Sequence, residues 1–240
     1  MKASTSRSTS LVMTMALSST STPGAERAGA GAALLQLENV AKRYNGKVAI
    51  HVDRLQIAEG DAINFIGANA SGKSTLLRII AGVTRPSYGR VRRTPGARHL
   101  RPVLVPQSGG LYPSLTLIEN MEAIARLFGV ALPADDRAIP GLFELGLHEL
   151  VDRRIGELSG GYRRLAAIAT AMAMAPGGLL LDEPFAGLDP QKSEQLRKFL
   201  AVARPNMSFV AITGHESEAA GPGFGRTLRC ADGKLLEGAA

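Results

Sequence analysis

The sequence has no tryptophan, and Cys230 is the single cysteine among 240 residues. One cysteine cannot form a disulfide within the chain, which suits a reducing compartment, and in its strand-like stretch we expect it to be a small core residue. The sequence also lacks a run of roughly 18 apolar residues, the length that a membrane-spanning helix needs. Its longest candidates, LVMTMAL and GLLLDEPF, are short. If the protein serves a membrane, we expect another chain to cross it.

Acidic residues are fewer than basic ones, 21 against 28, which gives a formal net charge of +7. The stretch Arg85–Arg101 has six arginines and no acid. We favour a solvated hairpin face for this stretch, with nucleic acid, acidic lipid or a partner protein as alternatives. The 45% hydrophobic content is enough for the core of one large domain, or of a domain with a small inserted lobe.

Residues 1–33 are rich in Ser, Thr, Ala and Gly and have no acid before Glu26. Such a composition cannot bury a core, so we expect a disordered N-terminal extension. A targeting peptide is one alternative, because basic residues, hydroxyls and a short apolar patch are present. A start codon placed too early, with Met13 or Met15 as the true start, is another.

Residues 34–240 have the pattern of one α/β domain. Apolar runs such as DAINFIGA, RPVLVPQ, GLLLDEP and SFVAITG alternate with helical segments, which predicts a largely parallel sheet. Asp232-Gly233 lies between two extended pieces and predicts a two-residue hairpin. Between Gln107 and Ser159 the segments TLIENMEAIARLFGV, IPGLFELGLHEL and DRRIGEL look helical. We therefore expect an inserted helical subdomain at about residues 108–165.

A phosphate-binding loop is predicted where Gly67, Gly72, Lys73 and Ser74 satisfy the pattern G-x-x-x-x-G-K-[ST] between an apolar strand and a helix. The glycines let successive backbone N–H groups turn toward phosphates, and the helix beginning near Lys73 adds the positive end of its dipole. We expect Lys73 to neutralise the β and γ phosphates and the Ser74 hydroxyl to bind Mg²⁺. The loop alone leaves kinases, GTPases, motors and many ATPases open.

Two further segments narrow the class of nucleotide-binding protein. Asp182 and Glu183 follow a buried strand, where one carboxylate can hold Mg²⁺ and the other can orient an attacking water. Ser159 is a plausible cap of a helix that carries Leu165, Ile168, Ala169 and Met172 on one stripe. The N–H groups at the start of this helix predict a second phosphate-binding site.

Taken in order, the motifs resemble those of an ATP-binding cassette (ABC) ATPase, the nucleotide-binding subunit of transporters. They are GANASGKST (Walker A), Gln107 in LVPQSGG (Q-loop), LSGGY (signature), LLLDEP (Walker B), GLDP (D-loop) and His215 in ITGHE (switch). The resemblance covers about Leu34 to Leu236. It implies a P-loop NTPase core with a mixed, largely parallel sheet, an N-terminal antiparallel β subdomain and an inserted helical subdomain.

The resemblance also implies roles for single residues. Glu183, Gln107 and His215 would be catalytic, and Mg²⁺ would be held by Ser74, Gln107 and Asp182. ATP would contact an adenine-stacking aromatic, the Walker A loop, the signature and the D-loop: Tyr44, Gly67, Ala68, Asn69, Ala70, Ser71, Gly72, Lys73, Ser74, Thr75, Ser159, Gly160, Gly161 and Asp189. Two departures from the family pattern are Tyr162, where Gln is commonest, and Gly214, where Thr is more usual.

The partners implied by the resemblance are a second ABC ATPase subunit, in a homodimer or heterodimer, and a transmembrane permease on a separate chain. ATP would close the dimer and energise transport at the cytoplasmic face of a membrane, with export modestly favoured. The alternative is a soluble ABC-type ATPase that acts on the ribosome or nucleic acid, motivated by the arginine cluster and a pI of about 9.9. No coiled-coil insertion or metal-cluster motif is visible in the sequence, so we expect no nucleic acid partner.

Overall fold

The computed structural model describes residues 31–98, 100–174, 177–215 and 224–237. The expected extension over residues 1–33 falls outside this range except for its last three residues. In the described part, four α-helices accompany one nine-stranded sheet. The strands are β1 (Ala33–Tyr44), β2 (Lys47–Ala58), β3 (Asp61–Ile66), β4 (Tyr88–Arg93), β5 (Pro102–Val105), β6 (Gly178–Leu181), β7 (Phe209–Gly214), β8 (Arg226–Ala231) and β9 (Lys234–Glu237). The helices are α1 (Lys73–Ile80), α2 (Leu117–Phe128), α3 (Gly160–Ala173) and α4 (Pro190–Ala203).

The sheet is mixed, with the strand order β4-β1-β2-β9-β8-β3-β7-β6-β5. The strands β8, β3, β7, β6 and β5 run parallel to one another. The central strands β6 and β7 are buried at every position, as expected for parallel strands covered on both faces. This arrangement confirms the predicted α/β fold with a largely parallel sheet.

The other half of the sheet is antiparallel and is built from β4, β1 and β2. Asn45 and Gly46 join β1 to β2 with φ values of 48° and 78°, the left-handed conformation that a tight hairpin turn requires. The predicted Asp232-Gly233 hairpin is confirmed, because these residues have φ values of 47° and 69° and join the antiparallel strands β8 and β9. Cys230 in β8 is 1% exposed, as predicted for a core residue.

Two hydrophobic clusters hold the fold together. One packs α1, with Leu76, Leu77 and Ile80 buried, against β1 and β2 and against the parallel strands β3, β7 and β8. The other joins α2, α3 and α4 to the far edge of the parallel sheet, and the predicted stripe on α3 is buried in it. Among the described residues no helix is long and apolar enough to cross a bilayer, the longest being the 14 residues of α3 and of α4.

The expectation of helices throughout residues 108–159 is only partly met. TLIENMEAIARLFGV does contain α2, which begins at the Thr116 cap and ends before Gly129. IPGLFELGLHEL and DRRIGEL contain only turns and single 3₁₀ turns, so the helical interpretation of these segments was wrong. Gly141 and Gly146 take φ values of 87° and 65° and break any helix there. The apolar spacing in these segments therefore reports burial in turns.

The basic stretch forms the edge strand β4 and the turn that follows it. β4 pairs with β1 rather than with a neighbouring strand in sequence, so the local hairpin that we expected is absent from this described stretch. Arg90 and Arg92 are exposed, as predicted, and Arg92 lies 3.6 Å from Glu38. Arg93 instead donates to the carbonyl of Leu100 at 2.6 Å and fixes the turn.

Candidate nucleotide-binding site

The loop between β3 and α1 needs glycine at two positions because other backbone segments come close to it. A Cβ at Gly67 would overlap the carbonyl oxygen of Cys230, and a Cβ at Gly72 would overlap that of Ala49. Both glycines also have positive φ, 153° and 102°. The loop is therefore clamped between β8 and β2, and larger side chains would push it out of place.

Lys73 at the start of α1 is 4% exposed, and its ammonium points into the loop. Nζ donates to the carbonyls of Gly67 and Ala68, each at 2.8 Å. A buried ammonium at a helix N-terminus makes a strongly positive concavity, because the charge and the helix dipole add. This geometry suits a polyphosphate.

The carboxylate of Asp182 lies directly beside the loop, at the end of β6. Its Oδ1 accepts hydrogen bonds from the hydroxyl of Ser74 at 3.0 Å and from that of Thr213 at 2.8 Å. Asp182 is 5% exposed. The carboxyl ends of parallel strands meet at one edge of a sheet, and here they bring the predicted Walker A and Walker B residues together.

Three of the predicted motifs meet at the side chain of Glu183. Gln107 donates from Nε2 to Oε2 of Glu183 at 2.8 Å, and Nε2 of His215 lies 4.0 Å from Oε1. Glu183 has a φ of 51°, an unusual conformation for a residue with a side chain. Its backbone N–H donates to Thr213 Oγ1 at 2.8 Å. The Q-loop, Walker B and switch residues thus form one cluster.

The cavity at this cluster has a volume of about 370 Å³. It is lined by Ala49, Asn69, Ala70, Ser71, Gly72, Lys73, Ser74, Thr75, Gln107 and Glu183. His215 lines the neighbouring cavity together with the start of the loop, Gly67–Ser71. The structure therefore gathers the whole Walker A prediction at two adjoining cavities, with the catalytic candidates at their edge.

The donor atoms near Ser74 fit Mg²⁺. They are the hydroxyl oxygen of Ser74 and a carboxylate oxygen of Asp182, and oxygen ligands are those that Mg²⁺ prefers. Gln107, the third predicted ligand, lines the cavity and donates from Nε2 to Glu183. Within the described residues no three His, Cys, Asp or Glu side chains form a metal cage. Mg²⁺ usually binds through one or two carboxylates together with phosphates and water.

Five predicted ligands of ATP line neither of these two cavities. Tyr44 is 47% exposed at the end of β1, with Lys42 Nζ 5.2 Å from its ring centre. Ser159 caps α3 by accepting from the N–H of Tyr162 at 3.4 Å, and Gly160 is exposed beside it. The described residues therefore do not bring the signature, Ser159–Gly161, to the lining of the chain's own phosphate loop.

Asp189, the fifth of these residues, caps α4 by accepting from the N–H of Lys192 at 2.8 Å. Lys192 Nζ also donates to Oδ2 of Asp189 at 2.6 Å. This hydrogen bond lowers the pKa of Asp189 and raises that of Lys192. The same ammonium lies 4.6 Å from the ring centre of Tyr162. The tyrosine that departs from the family pattern thus connects the signature to the D-loop through Lys192.

Sequence reasoning missed two residues that hold the cluster in place. Thr213 bridges Asp182 and Glu183, as described above, and its signal was a lone hydroxyl in an otherwise apolar strand. Arg164 on α3 donates to the carbonyl of Glu183 at 2.6 Å and to that of Gln107 at 3.1 Å. The second of two adjacent arginines gave no signal of this role.

Similarity to known sequences agrees with this geometry. The family model described as ABC transporter matches residues 50–186. The Nod factor export ATP-binding protein I of Cupriavidus pinatubonensis is 33% identical over 197 residues, 78% of this chain and 60% of that protein. The protein of the same name from Burkholderia lata is 34% identical over 218 residues, 85% of this chain and 70% of that protein. The chain spans less than two thirds of the length of two Cupriavidus relatives, 60% and 65%.

Similar solved structures agree as well. The ATP-binding cassette MJ0796, described as a post-hydrolysis dimer bound to ADP and Pi, has a TM-score of 0.73 and 27% identity. The match covers 86% of this chain and 100% of that one. CbiO1 from Clostridium perfringens, described as part of the ABC transporter complex cbiONQ, has a TM-score of 0.69 and 25% identity, and covers 85% of this chain and 87% of that one. With the phosphate loop, the paired carboxylates and the histidine all in one cluster, the chain belongs to the ABC transporter family.

Proposed function

We propose that this chain binds ATP with Mg²⁺ and hydrolyses it to energise a membrane transporter. The observation that carries the proposal is the convergence of Lys73, Ser74 and Glu183 on one cavity, with Asp182 hydrogen-bonded to Ser74 beside it. Each supplies a function that phosphoryl transfer to water requires: a cation for the phosphates, ligands for a metal, and a base for the water.

The residues divide the chemistry among them. Lys73 and the loop N–H groups bind the β and γ phosphates, and Ser74 and Asp182 hold Mg²⁺. When bound, Mg²⁺ neutralises charge that develops on the phosphate oxygens. Glu183 accepts a proton from the attacking water, and Gln107 keeps the carboxylate in place through the 2.8 Å hydrogen bond. His215, beside the same carboxylate, approaches the γ-phosphate.

A second ABC ATPase subunit completes the site in this proposal. Ser159 and Gly160 expose the positive end of α3 to solvent, and they do not line the chain's own cavity. Such a helix N-terminus binds anions through its free N–H groups. The dimeric state named for MJ0796 supports a sandwich in which each signature covers the nucleotide of the other chain. ATP would then act as the contact that closes the dimer, whether the partner is a second copy or a homologue.

A permease on a separate chain is the proposed partner in transport, with this subunit peripheral at the cytoplasmic face. The loop after Gln107 offers a surface for it, because Tyr112 is 53% exposed. Asn120 is fully buried and fixes this loop, accepting from the N–H of Tyr112 at 2.8 Å and donating to the carbonyls of Tyr112 at 3.1 Å and Thr116 at 2.8 Å. The export named for the relatives supports an outward direction of transport.

The test compares the full chain with Glu183→Gln, alone and with its permease. We expect the wild type to hydrolyse ATP only with Mg²⁺, and the variant to lose about 10² or more of the rate because it lacks the base. The variant should still bind ATP and accumulate as an ATP-dependent dimer, measured by light scattering after gel filtration. A wild type that hydrolyses no ATP, with a Glu183→Gln chain that traps no dimer, would overturn the proposal.

A further inference from the structure

Arg164 joins the signature helix to the backbone of the hydrolytic cluster. It is the fifth residue of α3, and its guanidinium donates from Nη1 to the carbonyl of Glu183 at 2.6 Å and from Nη2 to that of Gln107 at 3.1 Å. Nη1 also lies 3.5 Å from the carbonyl of Asp182. The two segments that it bridges follow β5 and β6.

The backbone at Glu183 needs such support. A residue with a side chain at a φ of 51° costs about 1–3 kcal/mol and persists only where its surroundings hold it. Arg164 holds the carbonyl of Glu183 with a charge-assisted hydrogen bond, and Thr213 holds the N–H. With both sides of the residue fixed, the carboxylate is left in the position where Gln107 and His215 meet it.

We propose that Arg164 is a positioning residue: it fixes Glu183 and Gln107 relative to each other and ties both to the helix that carries the signature. The inference rests on the proposed role of Glu183 as the base. Ser159, which caps the same helix, lies only about 7.5 Å along the axis from Arg164, given a rise of about 1.5 Å per residue. A shift of this helix when the signature meets a nucleotide therefore moves the carbonyls that orient the chain's own base.

Arg164→Met and Arg164→Lys test the proposal in the full chain, and Arg163→Met is the matched control. Met keeps the apolar stem but donates nothing, while Lys keeps the charge but cannot reach two segments with a planar fork. Arg163 is the adjacent arginine and is exposed. The measurements are kcat and KM for ATP, binding of a fluorescent ATP analogue, and thermal unfolding.

We expect Arg164→Met to lower kcat about 10- to 100-fold, because a small displacement of a catalytic group has effects of that size. KM and analogue binding should change less than about threefold, since Lys73 and the loop are untouched. Arg164→Lys should restore part of kcat and unfold near the wild-type temperature, which keeps the test valid if the Met variant is unstable. Arg163→Met should match the wild type.

Three results would overturn the inference, and they differ in what they imply for the proposed function. If both Arg164 variants keep kcat within twofold of the wild type while Glu183→Gln is inactive, Arg164 is not a positioning residue, and the proposed function stands. If Glu183→Gln retains wild-type activity, the proposed role of Glu183 fails, and this inference fails with it. A loss that appears in KM and analogue binding, with kcat unchanged, also overturns the inference, because it would place Arg164 in nucleotide binding.

Discussion

The hydroxyl of Thr213 donates to Oδ1 of Asp182 at 2.8 Å and accepts from the backbone N–H of Glu183, also at 2.8 Å. One buried oxygen thus connects the end of β7 to both acidic residues that follow β6. Thr213 is 1% exposed, so water cannot take over either hydrogen bond. The carboxylate proposed to hold Mg²⁺ and the backbone of the residue proposed to act on water are therefore held by the same side chain.

We expect Thr213→Val to lower both stability and hydrolysis. The side chains are similar in shape, but valine leaves the N–H of Glu183 buried without a partner, which costs about 1–3 kcal/mol in the free energy of unfolding. Without this hydrogen bond the backbone of Glu183 is held less firmly, which should lower kcat about 10- to 100-fold. Urea unfolding and steady-state ATPase assays measure the two effects. Thr213→Ser keeps the hydroxyl and should retain most of the rate, so equal losses in both variants would contradict this prediction.

The hydroxyl of Ser74 should determine how much Mg²⁺ the chain needs. It lies 3.0 Å from Asp182 Oδ1, and removing a proposed ligand weakens metal binding. We expect Ser74→Ala to raise the Mg²⁺ concentration for half-maximal ATPase activity by about tenfold or more. Ser74→Thr supplies the same oxygen and is the control. An unchanged Mg²⁺ titration in the alanine variant would remove Ser74 from the metal site.

Substitutions at Gly160 can test contact with a partner chain without disturbing the fold of this chain. A Cβ at this position meets no atom within 4 Å, and its φ is not positive, so a side chain is tolerated within the chain. Gly160→Asp places an acid in the first turn of α3, where the helix dipole favours it, and we expect the free energy of unfolding to stay within about 0.5 kcal/mol of wild type. The same acid would repel the phosphates held by a partner.

The expected result is a loss of the ATP-dependent dimer in a Glu183→Gln background, measured by light scattering, together with at least about a tenfold loss of hydrolysis in the single variant. Gly160→Ala, which adds no charge, is the comparison and should be the milder of the two. Full activity in Gly160→Asp would show that the signature does not face a nucleotide held by another chain.

Cys230 should behave as an unreactive thiol until the chain unfolds. Burial raises its pKa from 9.0 to about 11, and only the thiolate is nucleophilic. At pH 8 the change in pKa alone slows alkylation about 100-fold relative to the unfolded chain, because two pKa units correspond to that ratio of thiolate. Iodoacetamide labelling followed by mass spectrometry, with and without urea, measures the difference. Equal labelling rates would contradict the burial of this thiol.

The same pKa gives a pH dependence of stability. Below pH 9 the thiol is protonated in both states, and its contribution to stability is fully present. Between pH 9 and about 11 the unfolded chain loses the proton while the folded chain keeps it, so the free energy of unfolding falls as the pH rises. Cys230→Ala removes this contribution, and its stability should change less than that of the wild type over this window.

The strand, glycine-rich loop and helix around the proposed phosphate loop were predictable from the sequence. A strand, a glycine-rich loop and a helix follow one another, with Lys73 and Ser74 at the helix start. Few sequences fit this loop conformation, because glycine is required where other chain segments come close. The alternation of buried strands and helices likewise predicted the parallel sheet. Local patterns of this kind are sufficient when neighbouring residues carry the chemistry.

The spacing of apolar residues gave a wrong prediction between residues 139 and 158, where it indicated helices and the structure has turns. Leu142, Leu145 and Leu147 are fully buried, and burial alone sets their spacing. Gly141 and Gly146 with positive φ decide the backbone, and their effect could be weighed only with the packing around them known. Hydrophobic periodicity reports which residues are buried more reliably than which conformation buries them.

The sequence by itself determined which groups we propose for the chemistry: a lysine, a hydroxyl, two acids, a glutamine and a histidine, each within a recognisable motif. Only the tertiary structure decided which residues hold these groups in their relative positions. Thr213 and Arg164 are far in sequence from Gln107, and they meet the cluster because the sheet order places the ends of β5, β6 and β7 side by side. Hydrogen bonds act over about 3 Å, and the sequence alone does not specify which distant residues approach that closely.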